Sequence, residues 1–173
     1  MGRVGLHIRM NKNVNAPWLI GESNPYQRHG ADPEHRFDLY PEPSHASGGR
    51  LCRLVLGMST REYLHTFVRR DLLEGKWSVP KARAAAAVLW RETGTSPLVL
   101  LGAKVAAAFG FAFMPMTCIE HGCSAGTRKV AILPHPSGLS QAWHAPGSYE
   151  QARAIVLALI PAQMRESTPG EST

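Results

Sequence analysis

The chain has 173 residues, 44% of them hydrophobic, which is enough apolar material for one domain with a buried core. Nineteen Lys and Arg residues against thirteen Asp and Glu residues give a formal net charge of +6, which favours an anionic partner such as nucleic acid. No run of about 18 apolar residues and no secretory signal pattern occurs, so we expect a cytoplasmic protein that does not contact a membrane. We predict a single domain over residues 1–164 and a disordered tail over 165–173.

The first half of the chain predicts a strand, a long loop and two helices. The apolar stretch PWLIGE predicts a strand that ends at Gly21. The segment Pro25–Gly49 is rich in Pro, Gly, His and charge, which indicates a functional loop. Ser59 followed by Glu62 is a capping-box pattern, and Pro80 suits the first turn of a second helix.

The second half predicts two further strands and a final helix. The strands are PLVLLG, which ends at Gly102, and RKVAIL, which ends at Pro134. Ser148 followed by Gln151 predicts a capping box at the start of the last helix. The apolar stripe of that helix consists of Ala152, Ile155, Val156 and Leu159. Alternating strands and helices favour an α/β fold, with three α/β/α layers around a short, mainly parallel twisted sheet.

The cysteines argue against disulfides and against a metal. Cys52, Cys118 and Cys123 are odd in number, and in a reducing compartment they indicate free thiols. Cys118, His121 and Cys123 are close in sequence, but a structural zinc site requires four ligands and no second pair lies nearby. We therefore expect no metal and no cofactor.

Two polar segments each follow a predicted strand. GESNPYQ occupies residues 21–27, after the first strand, and HPSGLS occupies residues 135–140, after the last. Ligands of open α/β sheets bind outside the carboxyl ends of the strands. We therefore expect these two distant segments to converge on one crevice.

These two motifs, with LVLLGAKVAAAFG between them, resemble the uracil-DNA glycosylase superfamily in order and spacing over most of residues 17–160. The best-known branch has GQDPYH in its first loop and HPSPLS in its second. Here the first loop is one residue longer, and Gly138 replaces a proline. The resemblance implies a uracil-DNA glycosylase-like α/β/α fold and a monofunctional DNA N-glycosylase, which flips a pyrimidine and leaves an abasic site. Some branches bind an iron–sulfur cluster through four cysteines, which three scattered ones cannot reproduce.

The resemblance assigns catalytic roles to three residues. His135 corresponds to the histidine that donates a hydrogen bond to the pyrimidine O2 as negative charge develops on the departing base, and the alternative is a histidine that caps a turn. Asn24 stands where the best-known branch has an aspartate, and its amide can orient a water but cannot accept the proton. Glu22 is the second candidate, because another branch begins its motif with Gly-Glu and a carboxylate can take the proton or stabilise the sugar cation. Which of these two residues positions the water stays open.

The resemblance also implies contacts to DNA, the expected partner of a monomeric protein. Leu139 matches the leucine that fills the gap left by the flipped base, although a loop leucine can equally contact the core. Small neighbouring residues let backbone amides and hydroxyls approach phosphates. The DNA-binding residues we predict are Ser23, Gln27, Ser137, Gly138, Leu139 and Ser140.

Asp71, in FVRRDLLEGKWS, is aligned with the asparagine that recognises uracil in the family. An ionised carboxylate only accepts hydrogen bonds, so it disfavours uracil O4 but can accept from the exocyclic amine of cytosine. A protonated Asp71 could also donate to cytosine N3. Alternatively, Asp71 forms a surface ion pair with the two preceding arginines or is a turn residue.

Two tyrosines complete the predicted base pocket. Tyr26 matches the tyrosine that excludes a methyl group at C5. Tyr40 is our choice for stacking on the flipped base, with Phe37 second, and the alternative is that either residue only anchors its loop. An unfiltered cytosine glycosylase would damage its host's DNA. We therefore expect a 5-substituted cytosine of foreign or phage DNA, hydroxymethylated or glucosylated, which requires Tyr26 to move aside.

Three other functions stay open at this stage. A uracil-DNA glycosylase of base-excision repair keeps the enzyme class and changes the substrate. A catalytically weak DNA-binding or base-sensing module is motivated by Asn24 in place of the aspartate. An enzyme that modifies bases in place is the third alternative.

Overall fold

The computed structural model describes residues 15–24, 38–137 and 140–165, and within them a five-stranded sheet forms the centre of the molecule. The strands are β1 (Trp18–Asn24), β2 (Val68–Glu74), β3 (Leu98–Leu101), β4 (Thr117–Cys123) and β5 (Gly126–Leu133). Their spatial order is β2-β1-β3-β5-β4. All neighbouring pairs are parallel except β4 with β5, which is antiparallel. The α/β class with a mainly parallel sheet is therefore confirmed.

Helices cover both faces of this sheet. They are α1 (Ser47–Arg50), a π-helical turn (Leu51–Val55), α2 (Thr60–Thr66), α3 (Val79–Glu92), α4 (Ala103–Ala108), a 3₁₀ turn (Gln141–His144), α5 (Ser148–Leu159) and α6 (Ala162–Arg165). The π-helical turn, α2 and α5 pack on one face, and α3 and α4 pack on the other. The described residues thus form three layers, as the alternation of strands and helices predicts.

The strands divide their side chains between two cores. Successive strand residues point to opposite faces, so Leu19 packs with α5 and Ile20 packs with α3. All four residues of β3 are buried, which explains its continuous apolar run. The predicted stripe of α5 is also confirmed, and the residues that line its core are Ala152, Ile155, Val156 and Leu159.

One of the two predicted capping boxes is present. The Ser59 hydroxyl accepts from the Glu62 N–H at 3.3 Å, and the Glu62 carboxylate accepts from the Ser59 N–H at 2.8 Å. The prediction for Ser148 is wrong, because Gly147 occupies the N-cap with a left-handed φ of 76° and Ser148 is already helical. Its hydroxyl instead donates to the carbonyl of Trp143 at 2.9 Å.

The structure departs from the sequence-based prediction at several boundaries. Strand β1 continues past Gly21, because Ser23 pairs with Leu73 of the unpredicted strand β2. Strand β4, also unpredicted, forms a hairpin with β5. Helix α1 begins at Ser47, inside the segment predicted as loop. No helix in the described residues is long and apolar enough to cross a membrane.

The capping box of α2 provides a stability test of the fold. We expect Ser59→Ala to lower the free energy of unfolding by about 1 kcal/mol, because it removes the acceptor for the Glu62 N–H. Glu62→Gln keeps an oxygen that can accept from the Ser59 N–H and should cost less. Urea unfolding followed by circular dichroism measures both. Equal stability of wild type and Ser59→Ala would contradict the assignment.

Candidate active site

The candidate site lies at the carboxyl edge of the parallel strands. Since β1, β2, β3 and β5 run in the same direction, the residues near their carboxyl ends face one edge of the sheet. These residues are Glu22 of β1, Asp71 of β2, Gly102 directly after β3, and His135 shortly after β5. Strands that are far apart in sequence thus bring three ionisable side chains to one end of the fold.

Gly102 lies between the side chains of Glu22 and His135. A Cβ atom added to Gly102 would be 3.1 Å from the His135 Cβ, 3.6 Å from the His135 Cδ2 and 3.5 Å from the Glu22 Oε1. The backbone of Gly102 is left-handed, with a φ of 98°, which also favours glycine. The carboxylate and the histidine side chain therefore both lie within van der Waals distance of that position, and a Cβ there would be tight against the His135 Cβ.

The Glu22 carboxylate is paired with Lys104, in the first turn of α4. The Lys104 Nζ lies 3.0 Å from the Glu22 Oε2. The Glu22 side chain is 22% exposed and that of Lys104 is 56% exposed, so the pair lies at the boundary of the site with solvent. The ammonium group also lies 5.7 Å from the centre of the Trp77 ring.

The His135 imidazole is held as a neutral donor. The Ser137 N–H donates to the His135 Nδ1 at 3.2 Å, so the proton of the neutral ring is on Nε2. Burial lowers the pKa of His135; Lys104 lowers it further, whereas Glu22 acts in the opposite direction. The neutral form, with its proton on Nε2, therefore predominates near pH 7.

Two side chains fix the backbone around His135. The Trp143 Nε1–H donates to the His135 carbonyl at 2.8 Å, and the Arg50 Nε–H donates to the Pro136 carbonyl at 3.0 Å. Trp143 is buried and stacks on Tyr149 with ring centres 5.4 Å apart. Trp143 is therefore a structural support of the second loop.

Asp71 is buried beside Gly21, its register partner on β1. A Cβ atom at Gly21 would collide with the Asp71 Oδ1 and would lie 3.1 Å from the Leu39 Cδ2. The Leu39 backbone N–H donates to the Asp71 carboxyl group, and the Oδ2 atom has no partner among the described residues. This burial differs from the surface ion pair considered as an alternative.

Leu39 is fixed in an unusual backbone conformation. Its φ of 46° is left-handed, which is rare for a leucine. The buried Tyr63 hydroxyl donates to the Leu39 carbonyl at 3.1 Å, and the neighbouring Asp38 carboxylate accepts from the Asp71 N–H at 2.9 Å. These bonds hold the 38–39 segment against β2 and position it as one wall of the Asp71 site.

The environment of Asp71 favours its protonated form. Burial is the main cause that raises its pKa to about 7, and the nearby carboxylates of Asp38 and Glu22 contribute in the same direction. Arg69 opposes the shift. Near neutral pH the carboxyl group can therefore be either a donor or an acceptor-only anion.

Some of the remaining predicted site residues lie within the described residues and the others lie outside them. Tyr40 is half-buried, and the Arg69 guanidinium lies 5.8 Å from the centre of its ring. Three half-buried serines belong to the two motif segments: Ser23, Ser137 and Ser140. The other predicted residues lie outside the described residues: Tyr26, Gln27, Phe37, Gly138, Leu139 and the side chain of Asn24.

Sequence reasoning missed two residues that shape the site, Lys104 and Asp38. Lys104 follows the predicted strand end at Gly102 by two positions, and that spacing is a signal that could have identified it. Asp38 gave no signal, because its contact with Asp71 spans 33 positions.

The cysteine and histidine cluster lies elsewhere, on β4. Cys118 is exposed, Cys123 is half-buried, and the His121 ring packs edge-on against Trp90 and Phe111. Among residues 15–24, 38–137 and 140–165, no group of three or more His, Cys, Asp or Glu side chains could hold a metal ion.

Comparisons with known proteins add no assignment. Neither a scan against protein-family models nor a search of curated proteins gives a match to this chain.

The buried Asp71 makes stability depend on pH. Its pKa is raised from 3.8 to about 7 in the folded protein, so the free energy of unfolding falls as the pH rises through that interval. We expect Asp71→Asn to remove this fall and to stabilise the protein above pH 7 by about 2 to 4 kcal/mol relative to wild type. Urea unfolding between pH 4 and about 8 measures the effect.

Glu74→Gln, at the exposed end of the same strand, is the matched control and should leave the pH dependence of wild type unchanged. An Asp71→Asn variant with the wild-type pH dependence would contradict the buried, protonated state.

Proposed function

We propose that the protein is a monofunctional DNA glycosylase, which flips a pyrimidine and hydrolyses its N-glycosidic bond to leave an abasic site. One observation carries the proposal: the Glu22 carboxylate and the neutral His135 imidazole meet around Gly102 at the carboxyl edge of the sheet. The motifs that contribute these residues are the two that resemble the superfamily. The net charge of +6 is favourable for a polyanionic substrate.

Cleavage of the glycosidic bond separates charge in a defined way. As the bond from C1′ to the base nitrogen breaks, its electron pair goes to the base and positive charge develops on the sugar. The His135 Nε2–H would donate to the pyrimidine O2, where the negative charge accumulates. Water then adds to C1′, and the proton it releases is finally balanced by protonation of the departed base.

Glu22 is the group we assign to the sugar side of the reaction. Its carboxylate is partly buried and adjacent to the imidazole, so it can stabilise the sugar cation and accept a proton from water. The Asn24 amide can orient that water but cannot take its proton. Glu22 therefore supplies the function that the aspartate-to-asparagine exchange removes.

Asp71 is the group we assign to recognition of the base. A protonated Asp71 would donate to an acceptor such as cytosine N3, and an ionised Asp71 would accept from the exocyclic amine, provided that base binding exposes the carboxyl group, which is buried in the free protein. Both contacts suit cytosine. The substrate we propose is a 5-substituted cytosine of foreign DNA, hydroxymethylated or glucosylated, with Tyr40 and Tyr26 contributing to its pocket.

His135 provides the direct test of catalysis. Duplexes with one uracil, cytosine, 5-hydroxymethylcytosine or glucosylated 5-hydroxymethylcytosine are incubated with the protein, treated with alkali and examined for strand breaks. We expect breaks with a modified cytosine, and we expect His135→Ala to lower the rate by about 100-fold or more because charge on O2 loses its donor. Binding measured by fluorescence anisotropy should change little.

His144→Ala removes an exposed histidine of the 3₁₀ turn and is the control for that variant. Binding without breaks on every duplex would favour the base-sensing module, and an altered base without an abasic site would favour modification in place. Wild-type activity in His135→Ala would reject the catalytic assignment.

Asp71→Asn tests recognition of the base. An asparagine amide can donate to uracil O4 and accept from uracil N3–H, as in the family. We therefore expect the ratio of kcat/KM for uracil over modified cytosine to rise by about tenfold or more. The duplex assay measures this ratio, with Glu74→Gln as the control. Breaks with uracil alone in wild type would instead favour the repair enzyme.

A further inference from the structure

We propose that Lys104 is a positioning residue, whose ammonium group holds the Glu22 carboxylate beside the His135 imidazole. This inference deepens the proposed function and rests on it for the catalytic consequence. Lys104 itself would touch neither the base nor the sugar. It would act through the carboxylate that it binds.

The position of Lys104 follows from the backbone after β3. The left-handed Gly102 turns the chain directly into α4, so Lys104 stands in the first turn of that helix, two residues away. Its Nζ then reaches the Glu22 Oε2 at 3.0 Å, while the other oxygen, Oε1, faces the Gly102 position that the imidazole also approaches. The two oxygens of Glu22 thus have different roles: Oε2 binds Lys104, and Oε1 faces the candidate site.

A second contact restricts where the ammonium group can go. Lys104 Nζ lies 5.7 Å from the centre of the half-buried Trp77 ring, on the segment between β2 and α3. A long lysine side chain pays an entropic cost to hold one geometry, which an isolated surface ion pair often fails to recover. The aromatic ring on one side and the carboxylate on the other reduce that freedom.

The lysine also balances charge around His135. The ionisable groups that influence the imidazole are Glu22 from β1, which favours its protonation, and Lys104 from α4, which opposes it. Arg50 of α1 is bonded nearby to the Pro136 carbonyl and adds positive charge to the same loop. Without Lys104, the carboxylate would act on the imidazole uncompensated, and the pKa of His135 would rise.

This balance matters because both groups are needed in their deprotonated forms, whereas the negative charge of one favours protonation of the other. His135 is useful as a neutral donor with Nδ1 occupied by the Ser137 N–H, and Glu22 is useful as an anion next to the sugar. An anion beside an imidazole favours the imidazolium, which would lose the acceptor role of Nδ1. The Lys104 charge allows an anionic Glu22 and a neutral His135 to occupy adjacent positions.

The test compares Lys104→Met, Lys104→Arg and Lys129→Met in the full-length protein. Nitrogen-detected imidazole NMR follows the titration midpoint of His135, and the duplex assay gives kcat against pH. We expect Lys104→Met to raise the titration midpoint of His135 by about half a pH unit or more. The acidic limb of the plot of kcat against pH should shift to higher pH by the same amount. At the pH optimum kcat should fall by about tenfold, with little change in KM.

The two control variants separate charge at this position from charge in general. Lys104→Arg keeps a cation and should recover most of the wild-type midpoint and rate. Lys129→Met removes the same charge from an exposed position on β5, four residues before the carboxyl end of that strand, and should leave the wild-type values unchanged.

The outcomes distinguish failure of this inference from failure of the proposed function. An unchanged His135 midpoint in Lys104→Met overturns the positioning role, whatever the activity. A raised midpoint in a protein whose wild type cleaves none of the duplexes supports the electrostatic role of Lys104 and rejects glycosylase activity. Equal effects of Lys104→Met and Lys129→Met on the midpoint would also overturn the inference.

Discussion

The parallel pairing of β3 with both β1 and β5 is the constraint on which the rest of the structure depends. Leu98 to Leu100 pair with Trp18 to Ile20 on one side and with Val130 to Ile132 on the other, so the register of three strands is fixed together. The strand is buried on both faces, which makes a slip of one residue costly because it would exchange the two cores. The edge that carries Glu22, Gly102 and His135 is therefore set by the most protected part of the sheet.

The same edge concentrates groups that weaken the fold. The buried carboxyl group of Asp71 next to Asp38 and the left-handed backbone of Leu39 each oppose folding. Hydrogen bonds from Leu39 and Tyr63 and the apolar cores on both faces offset these costs. Ionisable groups that are buried at a cost in solvation free energy are typical of sites that bind a ligand, and they also occur in structural networks.

Local signals explain what could be predicted from sequence. The apolar runs of β3 and β5, the Ser59 capping box and the stripe of α5 depend on neighbouring residues, and the structure contains all four. Strand β2 was missed because its arginines and aspartate interrupt the apolar pattern, and β4 was missed because most of it is exposed. The placement of Glu22 beside His135 could be inferred only from strand direction. Contacts such as that of Asp38 with Asp71 join residues 33 positions apart, so a local sequence pattern cannot predict them.

The contact between Gly21 and Asp71 has a consequence for how such a protein can evolve. Because the carboxyl group occupies the volume where a methyl would be, position 21 tolerates a larger residue only if position 71 first becomes smaller or turns away. Exchange of Asp71 for the isosteric asparagine therefore leaves position 21 restricted to glycine. We therefore expect homologues that keep a side chain of this size at position 71 to retain glycine at position 21.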